Sequence, residues 1–184
     1  IIEHADVRRM LMLMKSGIEA MRALALVAAA EVDRARYESD DVKAAHHAAR
    51  VELYTPIVKG WLTELSQELT YLGVQIHGGM GFIEETGAAQ HYRDARILTI
   101  YEGTTGIQAA DLMGRKMLMD KGVMLQALLD EMAMMDASAY PPFAPALAAA
   151  IEARSWLLAQ APQDPNLAGA ASVNLMMLMG YLCG

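Results

Sequence analysis

Apolar side chains recur every three or four residues from Val7 through Met10, Leu11, Met14, Ile18, Met21, Ala25 and Ala28 to Val32. That spacing predicts one long helix with a single buried face, ending near the polar cluster Tyr37-Glu38-Ser39-Asp40-Asp41. A second helical stripe runs through Leu53, Ile57, Trp61, Leu65, Leu69, Leu72 and Ile76. Pro56 lies inside it. Either the main helix starts there, with Thr55 as cap and Pro56 in the first turn, or a longer helix bends at the proline. A glycine-dense segment then breaks the pattern. Residues 90–101 read as a short helix, and Ile107 to Lys121 as a long one closed by Gly122.

Residues 123–136 read as a further helix. Five prolines between Pro141 and Pro165 mark a joint, and Leu147, Ile151, Arg154, Ser155 and Leu158 fit a short helix inside it. Asp164-Pro165 has the form of an N-cap and first-turn pair opening a last helix. No strand pattern stands out. The expected fold is all-α: an up-down helix bundle over residues 1–122, with a small C-terminal helical annex over 123–184.

Composition supports this. Apolar residues make up 54% of the 184, aromatics only 6%, and fifteen are methionine. Alanine, leucine and methionine are strong helix formers. The net charge is −7 and no lysine/arginine run occurs, which argues against nucleic acid as the main partner. No charge-free apolar stretch of about 18 residues is expected, so no membrane span is expected either. The single cysteine, Cys183, excludes an internal disulfide, and a reducing compartment follows as the default. No Glu-x-x-His pair occurs, so the di-iron bundle motif is missing despite His46, His47, His77 and His91.

The candidate chemistry lies between Gln75 and Gln108. There the apolar run Ile97-Leu98-Thr99-Ile100-Tyr101 leads to Glu102, followed by Gly103-Thr104-Thr105-Gly106. A carboxylate at the end of an apolar segment, before small residues, has the form of a general base held against a ligand. Burial by its neighbours would disfavour the charged form. The bland alternative is an exposed glutamate at a helix N-terminus, favoured there by the helix dipole.

Three motifs in register favour the first reading. Gln75-Ile76-His77-Gly78-Gly79-Met80-Gly81-Phe82, Arg93-Asp94-Ala95-Arg96-Ile97 and Ile100-Tyr101-Glu102-Gly103-Thr104 resemble the C-terminal domain of the acyl-CoA dehydrogenases. The wording around Gly79–Gln90 and the helical tail are similar to the bacterial branch that includes 3-methylthiopropanoyl-CoA dehydrogenase. The resemblance implies a flavoprotein that introduces an α,β double bond into an acyl-CoA thioester. Glu102 would take the α-proton, its backbone N–H would bond the thioester carbonyl, and Gly103 would leave room for the substrate. Gln75, Gly78, Gly79 and Thr104 would contact FAD, the first three on a neighbouring subunit's cofactor. Where the family usually has Glu or Gln two residues after that threonine, this chain has Gly106, so a polar contact there is absent or replaced. Arg93, Asp94 and Arg96 read as charged partners bracing the turn.

The resemblance also implies a homodimer or homotetramer, an electron-transfer flavoprotein as partner, and a bacterial cytoplasm or a mitochondrial matrix as location. The chain would be one piece of a longer polypeptide, with a helical and a β-barrel domain before it. Two other readings stay open: a non-catalytic oligomerisation module, and an acyl-CoA oxidase relative that passes its electrons to oxygen.

Overall fold

The computed structural model describes residues 1–184, the side chain of Pro165 excepted. All its regular elements are helical. Helix α1 (Ala5–Tyr37) and α2 (Asp41–Ile76) form a long antiparallel hairpin. Asp40 caps α2 by accepting the N–H groups of Val42 (2.9 Å) and Lys43 (3.1 Å). A short α3 (Gly79–Phe82) and a 3₁₀ turn (Glu84–Thr86) lead into α4 (Ala88–Leu98). Then come α5 (Thr105–Met113), continued by a π-helical turn over Gly114–Leu118, α6 (Val123–Ala133), α7 (Phe143–Gln160) and α8 (Pro165–Cys183).

Helix α2 runs unbroken through Pro56, so the longer-helix alternative holds. Thr55 does not cap. Its hydroxyl donates back to the Val51 carbonyl inside the helix, at 2.7 Å. Tyr54, Pro56 and Ile57 are all buried, and that packing offsets the backbone hydrogen bond a proline removes. Helix α7 is longer than expected, because Phe143 to Ala146 join it ahead of the apolar stripe.

The α1 stripe is only partly realised. Met10 is buried as the stripe predicts, but Ile18 and Val32 are exposed, and Leu24, outside the stripe, is buried instead. Helix α1 packs chiefly on α2. A helix with one neighbour buries a narrower face than one embedded in a bundle.

The core centres on Trp61, 1% exposed, with Leu53, Ile57, Leu112, Met113, Met117, Leu125, Leu129, Met176 and Met179. Helix α8 reaches it by close approach. A Cβ on Gly60 would fall 2.2 Å from the Met176 sulfur, and one on Gly180 would fall 2.1 Å from Trp61 Cγ. Residues Asn166–Cys183 also correct one expectation. They form a charge-free helix long and apolar enough, by length and composition, to cross a membrane. Here Leu175, Met176, Met179 and Leu182 of that helix pack into the core against α2 and α5.

One charged cluster is buried beside this core. Glu31 on α1, 2% exposed, accepts from Arg34 Nη1 at 3.0 Å and pairs with His47 Nδ1 at 2.6 Å. Arg50 Nε lies 3.3 Å from the same carboxylate, and its Nη1 donates to both Glu131 oxygens on α6, at 2.6 and 2.7 Å. Burial pushes the Glu31 pKa up, but the His47 bond and the charges of Arg50, His47 and Arg34 together outweigh it and hold it below the ordinary value of 4.5. Burial is the main force pushing the nearby Tyr54 hydroxyl and the Cys183 thiol up to about 12, so Cys183 stays a neutral thiol at ordinary pH.

A depressed carboxylate stabilises the fold above its unfolded pKa, and that contribution fades as pH falls through the folded value. Glu31→Gln is therefore expected to cost about 3 kcal/mol near neutral pH. Its deficit against the parent in a denaturant titration should shrink below about pH 4. A deficit that stays constant down to pH 3 would show that the charge of Glu31 carries no stability.

Candidate functional site

After α4 the chain makes a tight turn. The N–H groups of Ile100 and Tyr101 both bond to the Ile97 carbonyl, at 2.9 and 3.1 Å, and the Thr105 N–H closes the loop on the Thr99 carbonyl at 3.2 Å. Inside it, Glu102 has φ 54° and Gly103 has φ 91°. Two successive left-handed residues are unusual. Glycine takes the second without cost, while a left-handed residue with a Cβ costs roughly 1–2 kcal/mol. Thr104 then caps α5, its hydroxyl accepting the Ile107 N–H at 3.4 Å.

Side chains hold this loop from two helices. Lys59 of α2 donates to the Gly103 carbonyl, and its Nζ sits 6.0 Å from the Tyr101 ring centre. Gln108 of α5 donates to the Glu102 carbonyl at 3.2 Å. The Thr105 hydroxyl donates to Glu64, and Gln67 Nε2 donates to the Ala95 carbonyl at 2.6 Å. Among the described residues, the N–H groups of Glu102 and Gly103 find no acceptor. Beside the loop opens a cleft of about 390 Å³, lined by Glu64, Gln67, Tyr92, Arg96, Thr99 and Thr104 among others.

The Glu102 side chain is exposed, which corrects the expectation that its neighbours bury it. The left-handed turn carries it away from the apolar run. Ile97, Ile100 and Tyr101 are themselves about half exposed, at 53%, 47% and 47%. With Ile107 they leave large apolar side chains uncovered around the Glu102 loop.

The glycine segment sits elsewhere. Gln75 lies in the last turn of α2, about 24 Å of helix beyond Lys59. One chain therefore does not bring Gln75 and Glu102 into a single site. Gly78 has φ 61° and donates to the Gln75 carbonyl at 3.0 Å. A Cβ on Gly78 or Gly79 would meet nothing within 4 Å, so both present open backbone. Gly81 is different, because a Cβ there would fall 2.2 Å from the Val74 carbonyl oxygen. Close packing demands glycine at that position and not at its neighbours.

The charged segment braces as expected. Arg93 pairs with Glu84 at 3.3 Å, Asp94 accepts from Gln90 at 2.6 Å, and Arg96 donates to the buried Thr99 hydroxyl. Lys59, Glu64 and Gln108 escaped the sequence reading. A single signal existed for Lys59: it is the one charge in the apolar stretch Pro56-Ile57-Val58-Lys59-Gly60-Trp61. The histidines are spread along the chain, from His4 ahead of α1 to His91 on α4. His47 pairs with Glu31, and His77 Nδ1 lies 2.8 Å from the Gly73 carbonyl.

The model of the acyl-CoA dehydrogenase C-terminal domain matches residues 1–118. The 3-methylmercaptopropionyl-CoA dehydrogenase of Ruegeria pomeroyi is 48% identical over 192 residues, covering 99% of this chain and 32% of the relative. A butyryl-CoA dehydrogenase of Syntrophomonas wolfei is 38% identical over 66% of this chain and 20% of its own length. The broad-specificity linear acyl-CoA dehydrogenase FadE5 of Mycobacterium tuberculosis is 42% identical over 68% of this chain and 21% of its own. The solved structure of Bd2924 in its apo form shares the fold, with a TM-score of 0.76 at 19% identity, covering 99% of this chain and 33% of that one. The chain thus spans a third or less of these relatives. The chain belongs to the acyl-CoA dehydrogenases, whose C-terminal helical domain it carries.

Proposed function

We propose that this chain supplies the catalytic base and part of the FAD contacts of an acyl-CoA dehydrogenase. The observation that carries the reading is the Glu102 loop. It presents a free carboxylate and unpartnered backbone N–H groups side by side, on a backbone fixed by Lys59 and Gln108. A thioester carbonyl bonded to the Glu102 N–H would gain acidity at its α-carbon, because the N–H stabilises enolate-like charge. The Glu102 carboxylate then takes the α-proton. Gly103 keeps the approach open, since no side chain projects from it. Exposure of Glu102 in this domain alone fits a base that the acyl chain and the rest of the protein desolvate on binding.

Gln75, Gly78 and Gly79 fit a role at FAD. They offer bare backbone at a helix end, with space where a side chain would stand. Their distance from Glu102 along α2 fits contact with the cofactor of a second copy, and so a homodimer or homotetramer. Thr104, exposed at the start of α5, is the contact assigned to FAD on the Glu102 side. These residues would hold FAD, which would supply a hydride acceptor for the β-hydrogen, with an electron-transfer flavoprotein to take up the electrons. Acyl-CoA thioesters are the substrate class, with 3-methylmercaptopropionyl-CoA the first to try given the relative covering 99% of the chain.

Anaerobic addition of that thioester to the complete FAD-loaded protein should bleach the flavin absorbance near 450 nm. No bleaching with it, with butyryl-CoA or with longer acyl thioesters would overturn the proposal. Fast recovery in air with peroxide release would place the protein among the oxidases instead. This domain expressed alone is expected to be helical by circular dichroism but colourless, since it holds only part of the FAD contacts. Stoichiometric yellow protein would show that the flavin site has been misplaced.

A further inference from the structure

Lys59 has a task that neither the motifs nor the comparisons assign, and its geometry rests on the reading of Glu102 as the base. We propose that Lys59 is a positioning residue that sets the backbone of the Glu102 loop for proton abstraction. The loop holds two left-handed residues in succession, one of them bearing a Cβ, so something must pay for that conformation. Two side chains grip it at consecutive carbonyls: Lys59 holds the Gly103 carbonyl and Gln108 the Glu102 carbonyl.

A trans peptide is planar, with its C=O and N–H on opposite sides. Drawing the Gly103 carbonyl toward α2 turns the Thr104 N–H the other way. Drawing the Glu102 carbonyl toward α5 does the same for the Gly103 N–H. The two grips thereby fix the peptide planes on the C-terminal side of Glu102, and with them the direction in which its carboxylate leaves the backbone. The Lys59 ammonium near the Tyr101 ring adds a contact on the N-terminal side.

Lys59 is also an unusual lysine. It is half-buried, stands on a helix whose neighbours Ile57 and Trp61 are fully packed, and has no carboxylate within 4 Å among the described residues. A partly desolvated ammonium normally finds an anion. This one is spent on a backbone carbonyl, from a rigid element, which is how a reacting group is held to within a fraction of an ångström.

The test uses the complete FAD-loaded protein with butyryl-CoA and 3-methylmercaptopropionyl-CoA, each also deuterated at the α-carbon. Lys59→Met should lower kcat by about 10–100-fold while KM stays within about threefold. Flavin content should not change, and the deuterium isotope effect on kcat should rise as proton abstraction slows. Lys59→Arg, which keeps a charged donor, should recover much of the loss. Gln108→Leu releases the other carbonyl and should fall in the same direction, so the inference stays open to refutation even when Lys59→Met does not fold. Wild-type kcat in Lys59→Met, or a loss of kcat explained by lost flavin in both Lys59 variants, overturns the positioning role. Glu102→Gln runs beside them. If it keeps turnover, the base reading fails and the positioning role with it. If it is dead while Lys59→Met and Gln108→Leu are normal, only the positioning role fails.

Discussion

Glutamine in place of Glu102, in the complete FAD-loaded protein, should cut turnover by about 10²–10⁴-fold while flavin and acyl-CoA binding persist. Gln keeps the shape and polarity of the side chain and removes only its ability to take a proton. Folding should not suffer, because the carboxylate is exposed and, among the described residues, no ion pair or hydrogen bond uses it. The loop itself is held through the Glu102 and Gly103 carbonyls, which the substitution leaves in place. Steady-state turnover and the 450 nm spectrum together decide the matter. Dehydrogenation at a tenth of the parent rate or more would remove Glu102 from the role.

Trp61→Ala should destabilise this domain by about 3–5 kcal/mol, read as a lower denaturant midpoint with the slope unchanged. Among the described residues Trp61 is the largest fully buried side chain, and α8 packs directly on it. Its ring stacks edge-to-face on Tyr181, with centroids 5.5 Å apart, and lies directly under Gly180. The backbone of α8 comes this close only because position 180 has no side chain. Removing the indole leaves a void that Gly180 cannot fill and that Met176 fills only in part. A loss under about 1 kcal/mol would mean that α8 settles onto α2 without its anchor.

Much of this arrangement was legible in the residues. The stripes placed the hairpin, and Asp40, Asp164 and Thr104 stand as caps where their types suggested or allowed. The three motifs located the Glu102 loop. What stayed illegible depended on partners far away in the chain. Pro56 permits either a start or a continuation, and only the burial of Tyr54 and Ile57 decides for continuation. Helix α1 is so rich in alanine and methionine that several faces look apolar, and the line that meets α2 buries Leu24 and Glu31 instead of Ile18 and Val32. Helix α8 escaped notice as a charge-free stretch because Asn166, Ser172, Asn174 and its glycines break up its apolar appearance. Lys59 reads as an ordinary surface lysine until the Gly103 carbonyl, 44 positions on, arrives beside it. The burial expected for Glu102 failed for a local reason, since a left-handed backbone points the side chain away from the run that precedes it.

The pairing of Trp61 with Gly180 carries a consequence for synthesis on the ribosome. Trp61, in the centre of α2, emerges well before Gly180, the α8 position that covers it. During that interval the nascent chain holds a formed hairpin and an open apolar floor, and a chaperone or a second nascent copy has its best chance to bind there. The domain's quality control therefore waits on the arrival of α8. A chain cut short within α8 would display Trp61 and be recognised as unfinished, however well its first two helices had formed.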